Sequence, residues 1–322
     1  MKPRLEVLLT PDVVKGRLAD DVRAGLSGKP RSLPFKWLYD ERGSDLFEAI
    51  TQLPDYYLSR TEYTILDEHA PSIAGFSEAD TVIELGSGSS ARTRLLLDAF
   101  RDRRQLRRFV PFDASEAALR GALASLGREY PTTEIHGIVG DFDHHLDALP
   151  GGGRRLVAFL GSTLCNLEPA PRGDLLARLS EHMETDDALL LGTDLAKNPA
   201  VILAAYDDPG GVTADFNRNV LRVVNRELHA DFVPSEFDHV VRWNPERSWI
   251  EMLLRSRRPQ EASVRDLGLE ITLEEHEEIH TEISAKVDRN IMEADLAAAK
   301  FELARWWTDA GGSYAVSLSF RT

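Results

Sequence analysis

Residues able to do chemistry gather where the apolar runs of this chain stop. The stretch Asp80-Thr-Val-Ile-Glu-Leu-Gly-Ser-Gly-Ser-Ser-Ala-Arg-Thr-Arg-Leu-Leu-Leu97 passes from a short buried strand, through Gly86 and Gly88, into an amphipathic helix. Two glycines there allow a tight turn, and the unpaired N–H groups at the helix start suit a nucleotide-type cofactor. The Gly-x-Gly-x-x-Ala spacing is shared with dinucleotide enzymes, so the turn alone leaves an NAD(P)-dependent oxidoreductase open. Later strands end the same way: Asp113 follows residues 108–112, Asp141-Phe142 follows 135–139, Gly161 follows 156–160, and Asp194 follows 188–192.

These residues need a scaffold that brings strand ends together. Between the apolar runs lie helical segments at 115–126 and 171–183, and that alternation predicts an α/β, doubly wound (Rossmann-like) parallel sheet with ligands at the carboxyl ends of its strands. After Lys197 the rhythm breaks. A helical stretch with Tyr206, Thr213, Phe216 and Asn219 precedes alternating runs at 239–243, 249–254 and 279–286, which read as an inserted lobe. The chain returns with a helix near 291–299 and strands at 301–306 and 314–320, a hairpin at the sheet edge. Residues 1–30 read as mostly helical, from Val13, Leu18, Val22 and Leu26, and the aromatic-rich segment 30–57 as a wrap on the main domain, with rings that line a pocket as the sharper alternative. The expected division is a cofactor domain of 60–196 plus 287–322 and a substrate lobe of 1–59 plus 197–286.

Composition narrows the function. Fifty-three acids against 38 Lys plus Arg leave a formal charge of −15, which repels a phosphate backbone and argues against nucleic acid. A single cysteine, Cys165, excludes an internal disulfide. No apolar run approaches the roughly 20 residues that span a bilayer, and no basic-then-apolar leader is visible, so a cytoplasmic address is expected; a monomer is expected too, although the sequence supplies no signal for the oligomeric state. Among the nine histidines only His276 and His280 stand four apart, and His280 falls in a run read as strand and not helix, so no metal is expected.

A doubly wound methyltransferase uses the glycine turn after its first strand for the methionine part of S-adenosylmethionine and a carboxylate after the second for the ribose diol. Asp113 has that position and that acceptor chemistry, while Asp141 and Phe142 could take the adenine amino group and ring. Aspartate at such junctions also caps helices, and for each acid both readings stand. The terminal hairpin suits a methyltransferase better than a nicotinamide domain.

The resemblance then becomes specific. Ser32-Leu33-Pro34, Tyr39-Asp40, Gly43-Ser44-Asp45-Leu46-Phe47, Pro54-x-Tyr56-Tyr57, Glu84-Leu85-Gly86-Ser87-Gly88, Gly161-Ser162-Thr163, Asn166-Leu167, Gly192-Thr193-Asp194, Phe216-Asn217 and Asn219 together resemble the L-histidine Nα-methyltransferases of ergothioneine biosynthesis, over essentially the whole chain. The resemblance implies a class I S-adenosylmethionine-dependent sheet, three methyl transfers from S-adenosylmethionine to histidine, and hercynine as product. It implies that Gly86, Asp113, Asp141, Phe142 and Gly161 bind the cofactor. It also implies that Tyr56, Asn166 and Tyr206 hold the amino acid's amino and carboxylate groups with Tyr39 nearby, and that Glu282, Ser284 and Met252 surround the imidazole. Two departures stand out: Arg92 occupies a position where lysine is usual, retaining the charge for the cofactor, and Cys165 replaces a small residue before Asn166.

Methyl transfer to nitrogen needs a neutral amine lone pair held in line, with neither metal nor covalent intermediate. Phenols and an amide can orient the amine without adding like charge, and Asn166 offers both donors and an acceptor; a loop asparagine tied to its own backbone is the plainer reading. In 279–286 a strand would put Glu282 and Ser284 on one face, roughly 7 Å apart at about 3.3 Å per residue. An imidazole, with one N–H and one bare nitrogen, fits between that acceptor and that donor; a solvated strand face has the same pattern. A cofactor-binding sensor without turnover is the remaining alternative.

Overall fold

The computed structural model describes residues 2–88, 90 and 92–322. In chain order the elements are β1 (Arg4–Val7), α1 (Pro11–Leu26), β2 (Arg31–Ser32), α2 (Glu41–Thr51), α3 (Tyr57–Ser77), β3 (Thr81–Leu85), α4 (Thr93–Asp102), β4 (Arg108–Asp113) and α5 (Glu116–Glu129). They continue with β5 (Glu134–Val139), β6 (Arg155–Phe159), α6 (Pro169–Glu181), β7 (Ala188–Asp194), α7 (Pro199–Tyr206), α8 (Val212–Leu228), β8 (Phe237–Asn244) and β9 (Trp249–Ser256). Last come β10 (Gln260–Val264), β11 (Leu269–Leu273), β12 (Glu278–Ala285), α9 (Arg289–Ala298), β13 (Phe301–Thr308) and β14 (Tyr314–Arg321). The chain forms two compact units, one of residues up to Leu9, Leu58–Ala196 and Lys286–Thr322, the other of Thr10–Tyr57 and Lys197–Ala285.

The first unit is built on a sheet of order β1-β5-β4-β3-β6-β7-β14-β13. The strands from β1 to β7 in that order run parallel, and β14 lies antiparallel between β7 and β13. All five residues of β3 are buried, as a strand covered on both faces requires, and burying Val82, Ile83 and Leu85 contributes about 1.5–3 kcal/mol each. Chain order reverses at β3, with β4 on one side and β6 on the other, so the carboxyl ends of β3, β4 and β6 open at the switch point where such sheets bind ligands. At the opposite end the buried Arg155–Asp187 pair ties the start of β6 to the approach to β7: the guanidinium Nε donates to Asp187 at 2.8 Å, and the other oxygen of that carboxylate accepts the Arg155 backbone N–H.

The helix expected from Val13, Leu18, Val22 and Leu26 is α1, and the residues before it differ from that reading. Arg4–Val7 form a strand that pairs parallel with β5, and the helix starts only at Pro11, where the Thr10 side chain accepts from Val13 N. Four residues are too few to display a period in sequence, so this strand becomes visible only through its partner.

The second unit holds a sheet of order β2-β12-β9-β8 and a separate hairpin of β10 and β11, which the sequence reading passed over. Helix α8 buries Phe216, Val220, Leu221, Val223, Val224 and Leu228, a stripe at helical spacing that also contains Asn217 and Asn219. The aromatic segment belongs here and not on the large sheet's domain: Tyr39 packs edge-on against Phe47 and Phe216, and Phe47 against Tyr56, at ring separations of 5.1–6.1 Å.

Candidate active site

In the first unit the glycine turn lies where the sequence puts it. Gly86 and Gly88 have φ of +69° and +48°, the left-handed region that glycine enters without a Cβ penalty. Ser89 and Ala91, the latter closing the Gly-x-Gly-x-x-Ala spacing, lie outside the described residues. The Gly86 N–H donates to Phe112 O, and the Gly88 N–H donates to Asp113 Oδ2 at 2.8 Å. Asp113 Oδ1 takes the Ser115 N–H at 2.8 Å, while the cap of α5 is Ser115, whose hydroxyl accepts from Ala118 N. Asp113 is therefore not the helix cap. Burial pushes its carboxyl above the ordinary carboxylate range, against the backbone N–H groups that pull it down.

Asp141 has a local task as well. Its Oδ1 accepts the His144 N–H at 2.9 Å, closing a turn after β5 in which His145 precedes a short 3-10 turn and no α-helix follows. Phe142 packs on Phe112 and Phe159, and a Cβ on Gly86 would stand 3.9 Å from its ring. These residues fit S-adenosylmethionine. The turn is bare of side chain beside an aromatic ring, Asp113 keeps lone pairs beyond its two backbone bonds, and the buried Ser87 hydroxyl has no hydrogen-bond partner among the described residues.

Gly161, with φ of +75°, leads into a 3-10 turn of Thr163–Asn166, which places Asn166 half-buried in the first unit. Beside it lies a residue the sequence reading missed. Glu62 of α3 is fully buried: Oε1 accepts the Gly161 N–H and the Tyr314 hydroxyl, both at 2.7 Å, and Oε2 pairs with Arg92 at 2.9 Å. Arg92, whose charge was assigned to the cofactor, is thus matched by a carboxylate, and it also donates to Ser59 Oγ at 3.2 Å. The available signal was positional, since Glu62 interrupts the buried face of Leu58, Ile65 and Leu66. Cys165 is buried, and burial raises its thiol pKa, which disfavours the thiolate a nucleophile needs.

The second unit gathers Tyr39, Tyr56, Tyr206, Met252, Glu282 and Ser284. Glu282 is directly opposite Met252 across β12 and β9, and Ser284 is opposite Ile250, so the pairings put all four on one face. Glu282 is 7% exposed and Ser284 2%, which removes the solvated-face reading. The Tyr206 hydroxyl donates to Ser284 Oγ at 2.8 Å, joining a residue expected at the amino acid's backbone to one expected at its ring, and Tyr206 packs edge-on against Tyr56. Tyr39 is held from both sides in sequence: Asn219 Nδ2 donates to Leu38 O at 3.3 Å and to Asp40 Oδ1 at 2.6 Å, and Asp40 caps α2 by accepting from Gly43 N. A Cβ on Gly43 would meet Leu38 O at 1.7 Å, so this close approach needs glycine. Among the described residues no cluster of ligating side chains could hold a metal ion, and no helix is long and apolar enough to cross a membrane.

The strand order with β14 antiparallel inside the edge, the glycine turn after the central strand and the acid after its neighbour define a doubly wound, S-adenosylmethionine-dependent methyltransferase. Residues 18–321 match the family described as histidine-specific methyltransferase, SAM-dependent, and the chain belongs to that family. It is 50% identical over 313 residues to a histidine N-alpha-methyltransferase of Mycolicibacterium smegmatis, covering 97% of this chain and 98% of that one. The protein of the same name from Mycobacterium tuberculosis is 50% identical over 302 residues, 94% of each chain. Ergothioneine biosynthesis protein 1 of Neurospora crassa is 34% identical over 201 residues, 61% of this chain and 23% of that protein. The chain is an enzyme that methylates histidine with S-adenosylmethionine as co-substrate, and the nicotinamide alternative is set aside.

Proposed function

We propose that the enzyme acts on the α-amino nitrogen of L-histidine and transfers three methyl groups in succession, ending at hercynine within ergothioneine biosynthesis. The co-substrate supplies an electrophilic methyl group on a sulfonium. Gly86, Arg92, Asp113, Asp141, Phe142 and Gly161 hold it in this reading, with Arg92 acting through Glu62. Tyr56, Asn166 and Tyr206, with Tyr39 nearby, orient the amine by hydrogen bonds and add no like charge, so a neutral lone pair can be presented. The amine must lose a proton before each transfer, and the trimethylated nitrogen, having neither proton nor lone pair, ends the sequence. Glu282 accepts the imidazole N–H and Ser284 donates to the bare nitrogen, with Met252 against the ring. The first unit is the cofactor domain and the second the substrate lobe of a cytoplasmic monomer that binds no nucleic acid.

The observation that carries this reading furthest is the burial of Glu282 and Ser284 on one strand face with Met252. A buried carboxylate and hydroxyl on one face offer an acceptor and a donor, the complement of an imidazole's N–H and bare nitrogen. The test is mass spectrometry after incubation with S-adenosylmethionine and a mixture of the standard amino acids. Histidine alone should gain mass and finish as the trimethyl species. A product that stops at one methyl, methylation of another amino acid, or cofactor binding without product would overturn the reading.

A further inference from the structure

Phe216-Asn217 forms part of the sequence resemblance, yet no role has been assigned to Asn217, on which a buried network of the second unit converges. Asn217 lies on α8, fully buried. Its Oδ1 accepts from Thr281 Oγ1 at 2.6 Å, and its Nδ2 lies 3.0 Å from Leu253 O and 2.9 Å from His239 Nδ1. The Leu253 carbonyl decides the amide's orientation, because only the NH2 end can donate to it. His239 must then accept at Nδ1 and carry its proton on Nε2, which lies 3.0 Å from the Tyr206 carbonyl. Burial lowers the pKa of this imidazole, the direction that keeps Nδ1 bare.

Thr281 is where β12 breaks register. His280 pairs with Leu253 and Glu282 with Met252, so Thr281 is an extra residue with no counterpart in β9. In an unbroken ladder Glu282 would oppose Glu251, and each side chain beyond would change faces. The bulge is therefore what puts Glu282 and Ser284 on the face of Met252 and Ile250. Asn217 grips both sides of it, Thr281 on β12 and Leu253 on β9.

We propose that Asn217 is a positioning residue for substrate selection: it clamps the bulge at Thr281 against β9, which sets the face on which Glu282 and Ser284 meet the imidazole, and it ties that strand to Tyr206 through His239. The inference rests on the reading of Glu282 and Ser284 as imidazole partners.

Thr281→Val removes the hydroxyl and keeps the branched shape, Thr281→Ser keeps the hydroxyl, and Asn217→Asp turns an oxygen toward Leu253 O. Steady-state kinetics with histidine, phenylalanine and tryptophan are combined with calorimetry using S-adenosylhomocysteine. Thr281→Val and Asn217→Asp should raise KM for histidine about tenfold or more and reduce its preference over phenylalanine by a similar factor, while S-adenosylhomocysteine affinity stays within about twofold. Thr281→Ser should stay within about threefold of the parent. Unchanged histidine KM and ranking in Thr281→Val, equal losses of histidine and S-adenosylhomocysteine affinity, or failure of Thr281→Ser to restore selectivity would each overturn the proposal. Where Asn217→Asp yields no soluble protein, Asn217→Ala decides, because the Thr281 hydroxyl also meets Met252 O of β9 at 2.9 Å and its removal does not isolate the amide. Glu282→Ala is run alongside: retained histidine affinity there defeats the imidazole reading itself, whereas its loss beside parental behaviour of Thr281→Val defeats the clamp alone.

Discussion

Asp113 holds two backbone N–H groups, which shapes the glycine turn, and in the proposed reading its remaining lone pairs take the ribose diol. Asp113→Asn keeps the shape but sets an amide NH2 against an N–H donor. We predict a loss of about 1–3 kcal/mol in S-adenosylmethionine affinity, roughly 5- to 100-fold, read by calorimetry. Unchanged affinity would confine Asp113 to shaping the turn. Glu282 gives the complementary prediction for the amino acid. Glu282→Ala should cost histidine about 1.5–3 kcal/mol, leave cofactor affinity nearly unchanged, and narrow the gap to phenylalanine and tryptophan in competition assays. The same histidine affinity and the same ranking would show that the buried carboxylate does not meet the ring.

At the scale of elements, α3 reaches the strand ends through Glu62. That one carboxylate joins the Gly161 turn, the Arg92 end of the glycine loop and Tyr314 of β14. Its space exists because β7 carries glycine at 192: a Cβ there would stand 2.0 Å from Glu62 Oε1. Gly192→Ala should expel the carboxylate and cost about 1–3 kcal/mol of stability, with cofactor affinity falling as Gly161 and Arg92 lose their partner. Denaturant unfolding and calorimetry on the same variant check both parts, and retained cofactor affinity would reduce Glu62 to a packing role. Glu62 was hard to read because a charged residue on an apolar helix face signals only that a partner exists, and besides Arg92 its partners are 99 and 252 residues away.

For the whole molecule, stability should carry the titration of Glu84. It is buried in the central strand with Thr93 donating to it, and burial pushes its pKa from 4.5 up to about 8. The folded protein thus holds a proton that the unfolded chain releases above 4.5. The sign follows: this group's contribution is fully present below the unfolded pKa and is lost as pH rises through about 8. Glu84→Gln, which keeps the acceptor for Thr93 and cannot ionise, should flatten the fall in denaturant midpoint between about pH 5 and 9. A variant whose midpoint follows the parent's at every pH would show that Glu84 ionises normally in the fold.

What the sequence alone determined is what local chemistry determines. An apolar run of strand length, two glycines and a helical stripe specify the β3-turn-α4 unit from consecutive residues, and acids after successive strands must come to one end once those strands are parallel. The aromatic and polar motifs then sufficed for the family resemblance. Only the tertiary structure decided which groups meet. Arg92 is paired to Glu62, Asp113 is not a helix cap, Arg4–Val7 is a strand because β5 lies beside it, and Glu282 has its face because a bulge shifts β12 by one residue. The period-2 pattern of 279–286 is the same with or without that bulge. At the bulge the Thr281 hydroxyl meets Asn217, 64 residues earlier, and the Met252 carbonyl of β9, since register is a property of two strands and what grips them.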